Sequence, residues 1–257
     1  MNILQGTPQA AILTHTQPWS YRNSVRTVHD VSIHDGHRER LRANFIENSL
    51  DSFNELNSLE LLLFYAIPRR DTNELAHRLL DRFGSLNGVF DASFYELMEV
   101  DGIGENAASL ITLIPEIMRK SRISGVSDTK VITSSSAAGK YLVPRFLYQK
   151  IEILLLLCLD SQKRVISCVE VNRGVVNSVD ANVRRIVELA LKYRATSVII
   201  SHNHPDGVAL PSREDDFITG KIGKALSSVG ITLSDHIIVA GETFASYADS
   251  GMMSLYR

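Results

Sequence analysis

An unbroken apolar run, Ile153 to Leu159, constrains this chain more than any other feature. It is far short of the ~20 residues that span a bilayer. It also lacks the polar alternation of a surface strand, so it suits a central strand buried on both faces. The strand-like stretch extends back to Ile151 and contains one charge, Glu152. Asp160-Ser-Gln-Lys163 turns the chain, and Arg164 to Val171 returns as a second strand. Asn182 to Tyr193 has the apolar period of an amphipathic helix, and Thr196 to Ile200 reads as a strand running into Ser201-His-Asn-His204. Ser212 to Val229 is a further helix and Asp235 to Val239 a further strand. Strands alternating with helices predict an α/β sandwich with a mixed sheet.

The front of the chain follows a different pattern. Residues 1–35 show no sustained period and read as a mobile tail. Its histidines, His15, His29 and His34, and His37 just beyond, have no neighbouring carboxylate scaffold that would make them a metal site. Residues 36–120 read as a helical domain. Ser58 to Ala66 is stopped by Pro68, and a second helix from about Asp71 ends at Gly84. Ser93 and Glu96 form a capping box. Asp101-Gly-Ile-Gly104 is a tight hairpin into a helix that runs to Lys120, with Pro115 as an expected kink. Residues 121–134, rich in Ser, Thr and Gly, read as a linker, and 135–257 as the α/β domain.

A formal net charge of −2 over 257 residues creates no global field toward nucleic acid or an anionic membrane. No basic segment followed by an apolar core opens the chain, so no signal peptide is expected. Cys158 and Cys168 lie in strand-like segments without a CxxC pattern and read as free thiols of a reducing compartment. Cytoplasmic location is the expectation.

His202 and His204 end a strand, and alternation turns residues two apart to one face. A loop broken by Pro205, Gly207 and Pro211 then leads to Ser212-Arg-Glu-Asp215 at a helix start. Two imidazoles and one carboxylate leave a fourth tetrahedral position for water, the pattern of a catalytic zinc site. Each piece alone has a plainer reading. The histidines could be polar decoration at a strand end, and Ser212 with Asp215 a variant capping box. Asp235 and His236 read first as a satisfied core pair, with a supporting role behind the ligands as the alternative.

His202-x-His204, then Ser212-x-x-Asp215, resembles the JAMM motif of the MPN/JAB metalloprotease superfamily. The wider text, His202-Asn-His-Pro205 through Pro211-Ser-Arg-Glu-Asp215 to Asp235-His-Ile-Ile-Val239, resembles the bacterial RadC branch, as do Gly174-Val-Val-Asn177, Arg82-Phe-Gly-Ser85 and Gly102-Ile-Gly104. The resemblance covers roughly residues 36–257. It implies a cytidine-deaminase-like α/β fold, one Zn²⁺ per chain and hydrolysis of a peptide or isopeptide amide in a protein or peptide substrate. It places the catalytic acid–base at Glu152, eight residues before Asp160, and gives Ser212 a part in stabilising the oxyanion. A charge opening an otherwise apolar strand is costly without a function, although an exposed strand start and a purely capping Ser212 are the alternatives. Asp206, Val208-Ala-Leu210 and Arg185 depart from the branch's usual residues at the cleft rim and beside Arg184.

The branch's traditional association with DNA repair, and the likeness of Gly102-Ile-Gly104 to a helix-hairpin-helix, raise a DNA-bound accessory factor as the competing function. A metal-bound but idle scaffold is the third reading. Glu105 and Ala107 at the helix start, with no basic stripe nearby, predict weak DNA contact at most.

Overall fold

The computed structural model describes residues 33–126, 131–174, 179–205 and 207–256, with side chains from 36 in the first helix and from 182 in the eighth. β1 (Ile153–Leu159) takes the centre of the sheet, as its composition requires. Leu155, Leu157 and Leu159 face one way, Leu156 and Cys158 the other, and both sets are buried. Fully burying one such leucine contributes about 1.5–3 kcal/mol.

Among the described residues the strand order is β2-β1-β3-β4-β5, with β2 at Val165–Arg173, β3 at Ser197–Asn203, β4 at Thr232–Ala240 and β5 at Thr243–Ser246. β1 pairs antiparallel with both β2 and β3, β3 runs parallel to β4, and β5 returns antiparallel, so the sheet is mixed. α8 (Val179–Lys192) and α9 (Arg213–Ser227) cover one face, packing Ile186 and Ile222 against Leu156 and Ile200. α7 (Ser135–Phe146) covers the other through Ala138, Leu142 and Phe146. Gly139 of α7 is there for contact: a Cβ on it would lie 2.3 Å from the Phe244 ring.

The front half packs α1 (Ile33–Asn48), α2 (Glu55–Ala66), α3 (Asn73–Phe83), α4 (Leu86–Asp91), α5 (Phe94–Met98) and α6 (Glu105–Val126). Leu59, Leu63, Leu79, Leu97 and Ile111 form its separate core. The expected caps are present. Gly84 adopts φ 81° after α3, and Ser93 and Glu96 exchange their capping-box bonds at 3.3 and 2.8 Å. Gly102 turns at φ 90° with Ile103 buried behind it, and a Cβ there would meet Leu75 Cδ2 at 2.5 Å.

Several boundaries differ from the sequence reading. α1 begins inside the segment read as tail, and the remainder of that tail lies outside the described residues. α6 passes through the buried Pro115 and continues to Val126, into the segment read as linker, and it packs against α7. α4 and α7 carry little signal in the sequence: α4 is short, and Gly139 and Pro144 blur the period of α7. No described helix is long and apolar enough to cross a membrane. Both cysteines are free, and burial pushes the Cys158 thiol up to about 12 and that of Cys168 up to about 11.

Candidate metal centre

β3 is buried along its whole length, yet it ends in polar side chains. In the β1–β3 pairing Leu154 lies opposite His202, so the register continues to place Glu152 opposite His204. Alternation then directs His202 and His204 to the face covered by α9. There His202 Nε2 lies 3.0 Å from His204 Nε2 and 3.1 Å from Asp215 Oδ1, while His204 Nε2 is 3.8 Å from Asp215 Oδ2. His202 and Asp215 are 4% and 11% exposed and His204 26%, so solvent reaches the cluster from the His204 side.

Asp215 owes its position to its helix. Ser212 is the N-cap of α9, its hydroxyl oxygen 3.1 Å from the Asp215 N–H that donates to it. In return Asp215 Oδ2 accepts the Ser212 N–H at 2.8 Å and its O–H at 2.6 Å. The capping-box and metal-ligand readings of this segment are therefore compatible: the cap holds Oδ2 and turns Oδ1 to His202. Burial would raise the Asp215 pKa, but when His202 is protonated its hydrogen bond and charge, and then the bonds from Ser212, hold it well below the usual carboxylate range.

The donor chemistry fits a cation. His204 Nδ1 lies 3.0 Å from the Val208 carbonyl, which can only accept, so that nitrogen carries the proton and Nε2 presents a lone pair. A carboxylate is also acceptor-only. A proton on His202 Nε2 could serve one of these neighbours and would leave the other facing a lone pair; a cation serves all three. Tetrahedral bonds of about 2.0–2.1 Å place ligand atoms about 3.3 Å apart, close to the 3.0 and 3.1 Å that separate His202 Nε2 from His204 Nε2 and Asp215 Oδ1.

A second triad, His202, Asp215 and His236, is wholly buried, with ligand atoms within 4.8 Å of one another. The nearest nitrogen of His236, however, faces His202 Nδ1 at 2.9 Å, away from the Nε2 that meets His204 and Asp215. His236 therefore backs the cluster. Its ring stacks on Tyr247 with centroids 4.9 Å apart, and burial holds its pKa well below the ordinary histidine value. Asp235 and His236 are both buried and hydrogen-bonded, as a satisfied core pair would be, but as neighbours on a strand they face opposite ways and only His236 backs the cluster. The Asp235 carboxylate accepts from Ser135 and Ser246 hydroxyls and the Ala248 N–H on the α7 side, and burial raises its pKa. Finding His236 from sequence required knowing that β4 lies beside β3, with His236 paired to Ile200.

Glu152 lies one residue before β1 and is exposed, so the cost of burying it does not apply. It lines a cavity of about 170 Å³ together with His202, Asp215, Glu214 and Asn182. Two further residues of this region were not read from sequence. Asn203 turns its amide away from the histidines, accepting the Ile153 N–H at 2.7 Å and donating to the Ile151 carbonyl at 3.1 Å, which clamps the chain on both sides of Glu152. Asn182 Nδ2, also on that cavity, is buried with no hydrogen-bond partner. His204 borders a second, wider cleft of about 510 Å³, with Lys150, Tyr148 and Asp91. Asp206 and Val175 to Asn177 lie outside the described residues.

A mixed α/β domain carrying a His/Asp cluster at the end of a central strand is the design of a JAB-type domain. Residues 132–252 match the RadC-like JAB domain family. A UPF0758 protein of Fusobacterium nucleatum is 35% identical over 225 residues, covering 85% of this chain and 97% of its own. One from Methylibium petroleiphilum is 35% identical over 195 residues, covering 76% and 88%, and one from Ruegeria pomeroyi 32% identical over 217, covering 84% and 97%. The chain belongs to the RadC family.

Proposed function

We propose that this protein is a zinc-dependent hydrolase of amide bonds, acting on a peptide or isopeptide link in a protein substrate. The observation that carries the reading is the convergence of His202 Nε2, His204 Nε2 and the Asp215 carboxylate beside a cavity that Glu152 also lines. A zinc ion held by these atoms supplies Lewis acidity and lowers the pKa of a water toward ~7. Glu152 is the proton shuttle: it accepts the water's proton and returns it to the leaving amine. Asn203 holds Glu152 in register for that transfer. Asn182 Nδ2, a buried donor without a partner, is available to the substrate carbonyl oxygen. Ser212 joins it as oxyanion donor by releasing its hydroxyl proton from Asp215 Oδ2. The cleft bordered by His204 and Lys150 gives an extended chain access to the centre.

Glu152→Gln tests this assignment on a proteome-derived peptide mixture read by mass spectrometry. The zinc-loaded wild type generates new peptide termini; in the variant their rate falls by ~10²–10⁴-fold. Zinc content and melting temperature stay nearly unchanged, because Glu152 is not a ligand. Loss of zinc in the variant makes it a ligand, and unchanged cleavage makes it a bystander.

A further inference from the structure

His204 and His202 have to present the same nitrogen to a metal, but the fold fixes the two rings by different means. His204 Nδ1 reaches a backbone carbonyl directly. His202 lies in β3, hydrogen-bonded between β1 and β4, and its Nδ1 meets a second imidazole, which could either donate or accept. The direction of that contact is settled two residues away.

Thr219 in α9 is fully buried, and its Oγ1 lies 2.5 Å from the Asp215 carbonyl oxygen one turn back. Two oxygens at that separation need a proton between them, and a carbonyl brings none, so the hydroxyl donates there. A hydroxyl has one proton, so only lone pairs remain toward His236 Nδ1 at 2.7 Å. His236 Nδ1 must therefore carry a proton. A neutral imidazole has a single N–H, which leaves His236 Nε2 as an acceptor. His202 Nδ1, 2.9 Å away, must then donate, and His202 Nε2 is left bare toward His204 and Asp215.

We propose that Thr219, through His236, is the positioning device that fixes His202 as the Nδ1–H tautomer, with Nε2 bare for metal. The relay deepens the metal-site reading above and rests on it for its purpose, though its hydrogen-bond directions stand without metal. Thr219 thus acts twice on the centre: its proton anchors the carbonyl of Asp215, and its lone pairs set the ring of His202. Stacking on Tyr247 keeps the His236 ring in the plane that both contacts require. Outer partners of this kind raise ligand basicity and fix orientation, and their loss typically weakens metal binding by about 10–100-fold.

The test uses the full chain, ¹⁵N-labelled at histidine and stripped of metal with a chelator, so that no ion dictates the tautomer. Long-range ¹H–¹⁵N correlation should show His202, His204 and His236 all protonated at Nδ1 and bare at Nε2, the form free histidine disfavours. Thr219→Val keeps the shape but removes the proton and the lone pairs. It should mix the tautomers of His236 and His202, leave His204 as an internal control, and weaken zinc binding against a competing chelator by about 10–100-fold. Thr219→Ser should restore both readouts. A proton on His202 Nε2 in the wild type overturns the relay even if Thr219→Val fails to fold. An unchanged His202 and unchanged zinc affinity in Thr219→Val overturns it as well. A wild type with bare His202 Nε2 that takes no zinc would instead support the relay while sinking the proposed function.

Discussion

Each half of this molecule pairs a histidine with a buried carboxylate, and only one of the two clusters reads as a candidate site. In the helical half Glu60 is 1% exposed, with Oε1 3.0 Å from His37 Nε2 and Oε2 accepting from Asn73 Nδ2 at 3.0 Å. Donors and acceptors balance there, and nothing further is required. At the end of β3 the count does not balance: a lone pair of His204 and a carboxylate face the one ring nitrogen of His202. Burial of a carboxylate therefore does not set the two clusters apart. The excess of acceptors aimed at one point does, and it is what suits the end of β3 to a cation.

The largest effect expected from that difference is a response to zinc. At a free zinc concentration of about 1,000 times Kd, the wild type should gain about 4 kcal/mol of unfolding free energy. Asp215→Asn should gain almost none, because the amide replaces a ligand oxygen. Glu60→Gln should lose about 1–3 kcal/mol from its broken network but keep the full zinc response. Equal zinc responses in Asp215→Asn and wild type, read by denaturant melts, would erase the distinction between the clusters.

A smaller effect separates two aspartates within the sheet domain. Asp215 of the metal-free chain has a depressed pKa, so its contribution is fully present above the unfolded value of about 4 and is lost as the pH falls through the folded value. Asp235 has a raised pKa, so it costs stability once the pH rises above the unfolded value, increasingly up to the folded one. Asp215→Asn and Asp235→Asn should therefore tilt the acid side of the stability–pH curve in opposite directions in metal-free urea melts. Tilts of the same sign contradict the account.

The smallest effect concerns DNA. Arg78 is paired with Glu74 and Asp101, and Arg82 with Glu99, beside the Gly102 hairpin. Duplex DNA should bind weakly and without sequence preference at physiological salt. Sub-micromolar affinity at about 150 mM salt, lost in a folded Gly102→Val/Gly104→Val variant, would instead give the helical half a nucleic-acid role.

The features legible in the sequence are those set by local chemistry. The run Ile153–Leu159 announced a central strand, the alternation in His202-Asn-His204 a shared face, and Ser212 with Asp215 a helix start. The features it hid depend on which elements become neighbours. The part played by Asn203 appears only once β1 lies beside β3 and the amide closes on Ile151 and Ile153. His236 and Thr219 lie in elements whose relation to β3 only the parallel β3–β4 pairing and the packing of α9 establish. Glu152 was located through family resemblance. It is exposed, so no cost of burying its charge marks it, and what supports it is the cavity it shares with His202 and Asp215.

The central claim is that three acceptor atoms from β3, its following residue and α9 hold one metal ion. Anomalous diffraction at the zinc edge, on crystals of the full chain grown with zinc, tests it most directly. The account predicts a single strong peak per chain within about 2.0–2.2 Å of His202 Nε2, His204 Nε2 and an Asp215 carboxylate oxygen. A peak between His202 Nδ1 and His236, or no peak at the end of β3, would contradict it.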